Sequence, residues 1–297
     1  MFLEFRIQKK ADPRDAVEAI CNIEEIHSSI AGINCAIGIR PTIWRTLAPN
    51  GIPQVMFDFT SSVNADDCFV ILATQRDIWI WISSQSIGQV FDAAVLTINR
   101  LEGLAELEED ISGWNYRFNR DLTGFIDESA NPTFLEAAKV AIIPDSTPGQ
   151  GGSVLLFQKW QHDIRPFSQL DSKKQEQIIG RTKVDSTEFA EDLLPKNSHA
   201  AITTIEKYYR EQPIFRRNVS HGTPSNNETS FIGFTNSQET VHEMLRRMAG
   251  VLDGLRDALT FYSMPATGSH YFIPSSDSLM SFATEIEFLI TTSPPAS

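Results

Sequence analysis

Six histidines, His27, His162, His199, His221, His242 and His270, are the first residues here able to bind a metal or move a proton near neutrality. A lone histidine is more often structural than a ligand, so context has to select among them. His27 and His242 fall in helical patterns among charged neighbours and read as solvated. His199 follows Pro195-Lys196-Asn197-Ser198 and leads into Ala200-Ala201-Ile202-Thr203-Thr204, which reads as extended. A histidine at the edge of an apolar strand can turn one ring nitrogen into a cavity while an acceptor holds the other. A second constellation is Ile214-Phe215-Arg216-Arg217-Asn218, where two arginines interrupt an apolar run. It reads either as a surface strand with one guanidinium on each side, or as an inward Arg216 serving a buried anion, since guanidinium keeps its charge when desolvated. A third is the stretch 121–133, DLTGFIDESANPT, which sets two acids beside a Phe-Ile pair with a glycine and a turn proline. That mixture is unusual for a surface connection.

These groups need a scaffold, and the hydrophobic periodicity supplies one. Residues 2–7 alternate as a strand. Asp12-Pro13 then offers an N-cap and a first-turn proline to a helix on which Ala16, Ile20, Ile23 and Ile30 repeat. Runs at 54–59 and 68–74 look β-like, and 86–100 reads as a helix with Phe91, Ala94, Val95 and Ile98 as its apolar stripe. The second half repeats the theme. Residues 153–158, 201–205 and 230–234 read as extended, and 173–181 as helical. Residues 238–248 make a clear helix, with Val241, Met244, Leu245 and Met248 at i, i+3, i+4 and i+7. The pattern implies an α+β fold of two halves, each an antiparallel sheet with helices packed on one face. The Gly- and Pro-rich stretch 144–152 is a loop between them. The division is therefore 1–120, a connecting 121–152, and 153–297.

Composition narrows the function classes. The chain has 297 residues, 41% of them hydrophobic, and 19 phenylalanines, ample for a buried core. Its formal charge of −13 is repelled by nucleic-acid phosphate. No stretch approaches the ~20 apolar residues of a membrane-spanning helix. The opening Met1-Phe2-Leu3-Glu4-Phe5-Arg6 shows no secretory pattern. Cys21, Cys35 and Cys68 are odd in number and lack metal-site spacing, which suits a reducing cytoplasm.

Several motifs, in order, carry a resemblance. Gly124-Phe125-Ile126-Asp127, with Asn131-Pro132 after it, resembles the Gly-x-x-Asp-Gly signature of dye-decolourising haem peroxidases. Residues 152–163, Ile179-Gly180-Arg181-Thr182-Lys183, Asn197-Ser198-His199, Phe215-Arg216-Arg217-Asn218, and Ala266-Thr267-Gly268 with Phe272-Ile273-Pro274-Ser275 are similar to the family's later motifs. The resemblance spans about 115–280 and lies with the short, bacterial, cytoplasmic branch. One departure stands out: Glu128 occupies the place of the glycine after the aspartate. Either the backbone there does not need glycine, or the site is altered, with the Glu128 side chain expected to point away.

The resemblance implies two ferredoxin-like halves, with one haem b per chain in the C-terminal half. It implies His199 as iron ligand, Arg181 as partner of a haem propionate, and Asp127 as the acid–base group reducing hydrogen peroxide through a ferryl intermediate. Arg216 would stabilise the leaving charge and Asn218 would orient Asp127 or a water. Asp257 is the candidate acceptor behind His199, its other reading being an exposed acid paired with Arg256. Phe231 and Ile214 are candidates for lining the cavity. Small organic donors such as dyes and phenols would supply electrons, with Trp160, Tyr208, Tyr209 and Tyr262 as relay candidates. The implied assembly is a homo-oligomer, dimer to hexamer, without nucleic-acid or membrane partners. The C-terminal stretch 290–297 shows no cargo-loading tail. The alternative is a haem-binding or haem-handling protein with little turnover.

Overall fold

The computed structural model describes residues 1–29, 32–207 and 210–282. The first half runs β1 (Phe2–Ile7), α1 (Pro13–Ser29), β2 (Ile33–Ile39) and α2 (Pro41–Leu47). A small ribbon of β3 (Val63–Asn64) and β4 (Val70–Ile71) follows, then β5 (Ile78–Ser84), α3 (Ile87–Arg100) and β6 (Ala105–Ile111). A connecting α4 (Phe134–Ala141) leads to β7 (Ser153–His162), α5 (Ile164–Gln169), α6 (Ser172–Ile179) and α7 (His199–Thr203). Next come a ribbon of β8 (Glu206–Lys207) and β9 (Arg210–Glu211), then β10 (Phe215–Arg216), β11 (Val219–Thr223) and β12 (Asn226–Thr235). The half closes with α8 (Gln238–Met248), β13 (Ser263–Pro265) and β14 (Ser269–Ile273).

The large sheet has the order β10-β12-β7-β14-β2-β5-β1-β6, with β11 also on β12 and β13 on β7. Each half repeats one pattern: its first strand lies between its third and its fourth, all antiparallel. That is the ferredoxin-like arrangement. The halves are continuous rather than separate, joined where Phe272 pairs with Ile39. The sheet also curls until its ends meet. Beyond β6, the Trp114 N–H donates to Ser220 O of β11 at 2.9 Å. Contact there is so close that a Cβ on Gly113 would sit 2.4 Å from Val219 Cγ1; glycine is required.

Period-two alternation then sorts the side chains. Phe2, Trp79, Leu155, Phe157, Ile232 and Tyr271 fill the inside of the curl, with the Phe2 and Phe157 rings 5.5 Å apart. On the outer face Leu3, Phe5, Ile78, Ile80 and Ile82 pack with α1 and α3. In the second half Leu156 and Trp160 face Val241, Met244, Leu245 and Met248, the stripe of α8. The elements that position the site are therefore β7, β12 and α8, layered as sheet and helix.

Local readings fare unevenly. β1, α1 and α8 lie where the periodicity places them. Residues 54–59 form no strand, and 68–74 hold only the two-residue β4. The buried stripe of α3 is Val90, Ala93, Ala94 and Thr97, whereas Phe91 and Val95 are exposed. Residues 201–205 are not extended: His199 opens a short helix. Ile30, Tyr208, Tyr209 and the stretch 290–297 lie outside the described residues, as does the side chain of His27.

Candidate active site

His199 is fixed from two directions. Ser198 caps α7 by accepting from Ala201 N at 3.4 Å, a cap of the kind that contributes about 1 kcal/mol. Arg247 of α8 donates to Ala201 O at 3.0 Å and also reaches Thr204 O, satisfying carbonyls at the far end of the same short helix. Behind the ring, Asp257 Oδ2 lies 2.7 Å from His199 Nδ1. Asp257 is fully buried, so the reading of it as an exposed acid is wrong. Its other oxygen accepts from Leu259 N at 2.8 Å, and its own N–H donates to Met248 O at the end of α8. The next residue ties this turn to the segment before His199, through Ala258 N to Asn197 O at 2.8 Å. With Nδ1 engaged, Nε2 is the nitrogen left for the cavity that His199 lines.

A second set of cavity groups comes from a loop and a strand. The loop is built around Asp121, which accepts from Thr123 N, Thr123 Oγ1 and Phe125 N at 2.5–3.1 Å. Burial and the nearby Asp127 lift its pKa to about 6. Asp127 follows, its Oδ1 accepting from Glu128 N at 2.7 Å and from Asn218 Nδ2 at 2.9 Å. Burial raises the Asp127 pKa, opposed by those two hydrogen bonds and by the charge of Arg216. From the strand, Arg216 points inward and Arg217 outward. Arg216 is partly buried, and desolvation pulls its pKa down against the attraction of Asp127. Asn131 pins its backbone on both sides, accepting from Arg216 N and donating to Arg216 O, each at 2.8 Å. Asn131 thus acts as a one-residue surrogate strand, a role that spacing alone does not reveal.

Glu128 does not point away. Its φ is +58°, so the position does call for the left-handed conformation that glycine adopts freely. A non-glycine residue pays about 1–3 kcal/mol to stay there. The carboxylate, 10% exposed, accepts from Asn218 N at 2.8 Å and lies 3.4 Å from Arg217 Nη1 and Asn131 Nδ2. Hydrogen bonds to a charged group contribute about 1.5–3 kcal/mol, enough to offset the strain.

One cavity collects these groups. Asp127, Arg216, Asn218, Phe231, Ile214, Arg181 and His199 all line it, with an empty volume of about 1450 Å³ including its mouth. Arg181 pairs with Glu188 and donates to Ser186 O at 3.1 Å, which leaves further N–H donors for an anion. Trp160 and His162 line the same cavity from β7. Tyr262 is partly buried, edge-on to Phe167 at 5.4 Å. His242 is half-buried, and its Nδ1 lies out of solvent without a hydrogen-bond partner.

The donor set decides what the cavity suits. Among the described residues no group of three or more His, Cys, Asp or Glu can cage a bare metal ion. A single imidazole backed by a carboxylate suits an iron whose other ligands come from a macrocycle. Two buried polar atoms lining the cavity, Gln158 Nε2 and Asn218 Oδ1, have no protein partner, as expected where a polar ligand or water completes the shell. The residues fit a haem. Fold and site together define a haem-binding α+β oxidoreductase with an acid and a guanidinium at the cavity wall.

The comparisons specify the family. Residues 118–278 match the sequence profile of the C-terminal part of Dyp-type peroxidases. A dye-decolorizing peroxidase of Rhodococcus erythropolis is 30% identical over 290 residues, covering 94% of this chain and 84% of that protein. Another, from Mycolicibacterium paratuberculosis, is 32% identical, covering 86% and 77%. DyPB from Rhodococcus jostii superposes with a TM-score of 0.86 at 28% identity, over 94% of this chain and 93% of that one. A variant of it was solved in complex with heme. The chain belongs to the Dyp-type peroxidase family. It is a haem peroxidase acting on hydrogen peroxide and organic donors, and nothing in these likenesses favours a haem-handling protein.

His162 gives the site a pH signature. Its Nδ1 lies 2.7 Å from Ser263 Oγ and its Nε2 2.9 Å from Thr229 Oγ1. Burial, then His221, lowers its pKa to about 4. Between pH ~6.5 and ~4 the unfolded chain takes up a proton that the folded protein refuses, so stability falls as pH falls through that window. His162→Gln cannot charge, and its melting temperature should drop less than the parent's between pH 7 and 4.5. Parallel slopes in the two proteins would remove His162 from the account.

Proposed function

We propose that His199 would hold the haem iron through Nε2, that Asp127 and Arg216 serve peroxide heterolysis, and that Asn218 orients Asp127. The observation carrying this reading is that all four line one cavity, with His199 Nδ1 held by a fully buried carboxylate. Bound there, haem supplies a redox-active iron with one open coordination position.

The remaining work falls to the protein. Asp257 fixes the imidazole as the Nδ1–H tautomer, presents Nε2 as the ligand atom and increases its donor strength. Heterolysis needs a proton moved from the inner to the outer oxygen of peroxide. Asp127 Oδ1 is already held by Glu128 N and Asn218 Nδ2, so Oδ2 is the oxygen that accepts the proton and passes it on. Arg216 presents a fixed cation to the departing oxygen, and in a desolvated cavity such a charge acts strongly. Arg181 pairs with a propionate through its spare donors. Phe231 and Ile214 keep water from the reacting face.

Electrons come from organic donors, and bulky dyes would need side chains to relay them. Trp160, 7% exposed and against the cavity, suits an inner carrier, and Tyr262 a more peripheral one. Dyes and phenols are the donors this reading assigns. It also assigns a cytoplasmic homo-oligomer, in keeping with a −13 charge and with no disulfide among the described residues. No helix among those residues is long and apolar enough to cross a membrane.

Two sets of substitutions test the roles. His199→Ala should lose most bound haem on desalting; an unchanged Soret absorbance per chain would mean that another residue is the ligand. Arg216→Leu should keep haem while its stopped-flow reaction with peroxide slows by about 10²–10³-fold. Asp127→Ala should slow less, because Arg216 and water share the proton transfer. It should also lose the decline as pH falls through the raised carboxyl pKa, since a protonated Asp127 cannot accept. Parental rates in both would remove the distal assignment.

A further inference from the structure

The segment that carries Arg216, in β10, and Asn218, between β10 and β11, is fastened at these two positions by side chains of one loop. Asn131 grips the backbone of Arg216 through both its amide atoms. Two residues on, Glu128 Oε1 takes the Asn218 N–H at 2.8 Å, while Oε2 lies 3.4 Å from both Arg217 Nη1 and Asn131 Nδ2. The side chain of Asn218 in turn holds Asp127 Oδ1 at 2.9 Å. A glycine at 128 would leave the Asn218 N–H without this acceptor. It would also remove the one negative charge shared by the outward arginine and the clamp.

We propose that Glu128, at the place where the family motif has glycine, is a positioning residue that fastens Asn218 so that Asn218 can hold Asp127. This rests on the catalytic reading of Asp127 and Arg216 given above. The device accounts for both anomalies at this residue: a bulky side chain at φ +58°, and an acid lining a cavity beside another acid. Two carboxyl groups in sequence repel, and Glu128 is pushed above the ordinary carboxylate range by burial and by Asp127. The Asp127 charge therefore hinders ionisation of Glu128, and protonating Glu128 weakens its acceptance from Asn218.

The electrostatic surroundings limit how that coupling is tested. Facing Asp127 are Asp121 and Glu128 from its own loop, Arg216 and Asn218 from the strand, and His199 from α7. Arg216 is in turn faced by Arg181 and Glu211. Only Glu128 and Asp127 among these are carboxyls linked through Asn218, so a substitution at 128 isolates the link.

The experiment uses haem-loaded Glu128→Gly and Glu128→Gln beside the parent, with two readouts. Glu128→Gly relaxes the left-handed backbone and Glu128→Gln keeps the shape, so both should fold. Hydrogen exchange at the Asn218 amide should quicken about tenfold in Glu128→Gly and less in Glu128→Gln, which keeps an uncharged acceptor. In stopped flow, Glu128→Gly should react with peroxide severalfold more slowly. Glu128→Gln should lose one of two acid-side steps in the parent's pH profile and keep the step that Asp127→Ala removes. Unchanged Asn218 exchange in Glu128→Gly overturns the clamp. Changed exchange with peroxide profiles that overlay the parent's overturns the positioning role. Failure of the underlying catalytic reading shows separately, as an Asp127→Ala rate equal to the parent's.

Discussion

A carboxylate with no exposure, 2.7 Å from an imidazole nitrogen, is the contact around which the site is arranged. Burying a charge costs several kcal/mol unless it is paired and hydrogen-bonded. Asp257 is hydrogen-bonded by two partners, the His199 ring and the Leu259 N–H. The chain is drawn tight to provide them. The end of α8 receives the Asp257 N–H, and the residue after Asp257 donates to the carbonyl two residues before His199. Helix, turn and ligand segment thus form one closed set of hydrogen bonds, so the imidazole has little freedom to follow anything but its carboxylate.

The loop that presents Asp127 relies on backbone shape. Between Arg117 and Glu128 five residues hold φ above zero, four of them not glycine. Such a loop stays folded only when its polar groups are satisfied internally. Asp121 does this on one side by accepting three hydrogen bonds, and Arg120 on the other by donating to Gly124 O and Lys183 O, each at 2.8 Å. The strain is held by over-determination, and the side chain so aimed is Asp127.

How much of this is legible in the sequence depends on whether the cause is local. The stripe of α8 is a repeat along one helix, and it appears in the structure as read. The stripe of α3 is displaced by one residue, because the curled sheet chooses which face is covered. His199 reads as the start of a strand because Ala200 to Thr204 carry two threonines and an isoleucine. The Ser198 cap and the grip of Arg247 override that propensity. Asp257 is indistinguishable in sequence from any acid beside an arginine, since its burial is decided by residues 58 positions away. Glu128 is the sharpest case: the expected conformational demand for glycine is real, and long-range hydrogen bonds meet it with another residue.

Among the described residues the N-terminal half supplies none of the groups lining the cavity, yet the site depends on it through the closure of the sheet. Strand β6 runs on into Gly113 and Trp114, and Trp114 bridges to Ser220. Ser220 is two residues from Asn218, and Trp114 is the last paired residue before the chain enters the loop of Asp127. Both distal elements therefore leave from the same bridge, and their relative position is set before either reaches the cavity. Displacing that bridge would shift the loop against the strand, and the Asn131 and Glu128 contacts, each within a single hydrogen-bond length, would have to break together. The rigidity of a sheet that curls back on itself is thus transmitted to an acid and a guanidinium that no backbone pairing joins directly.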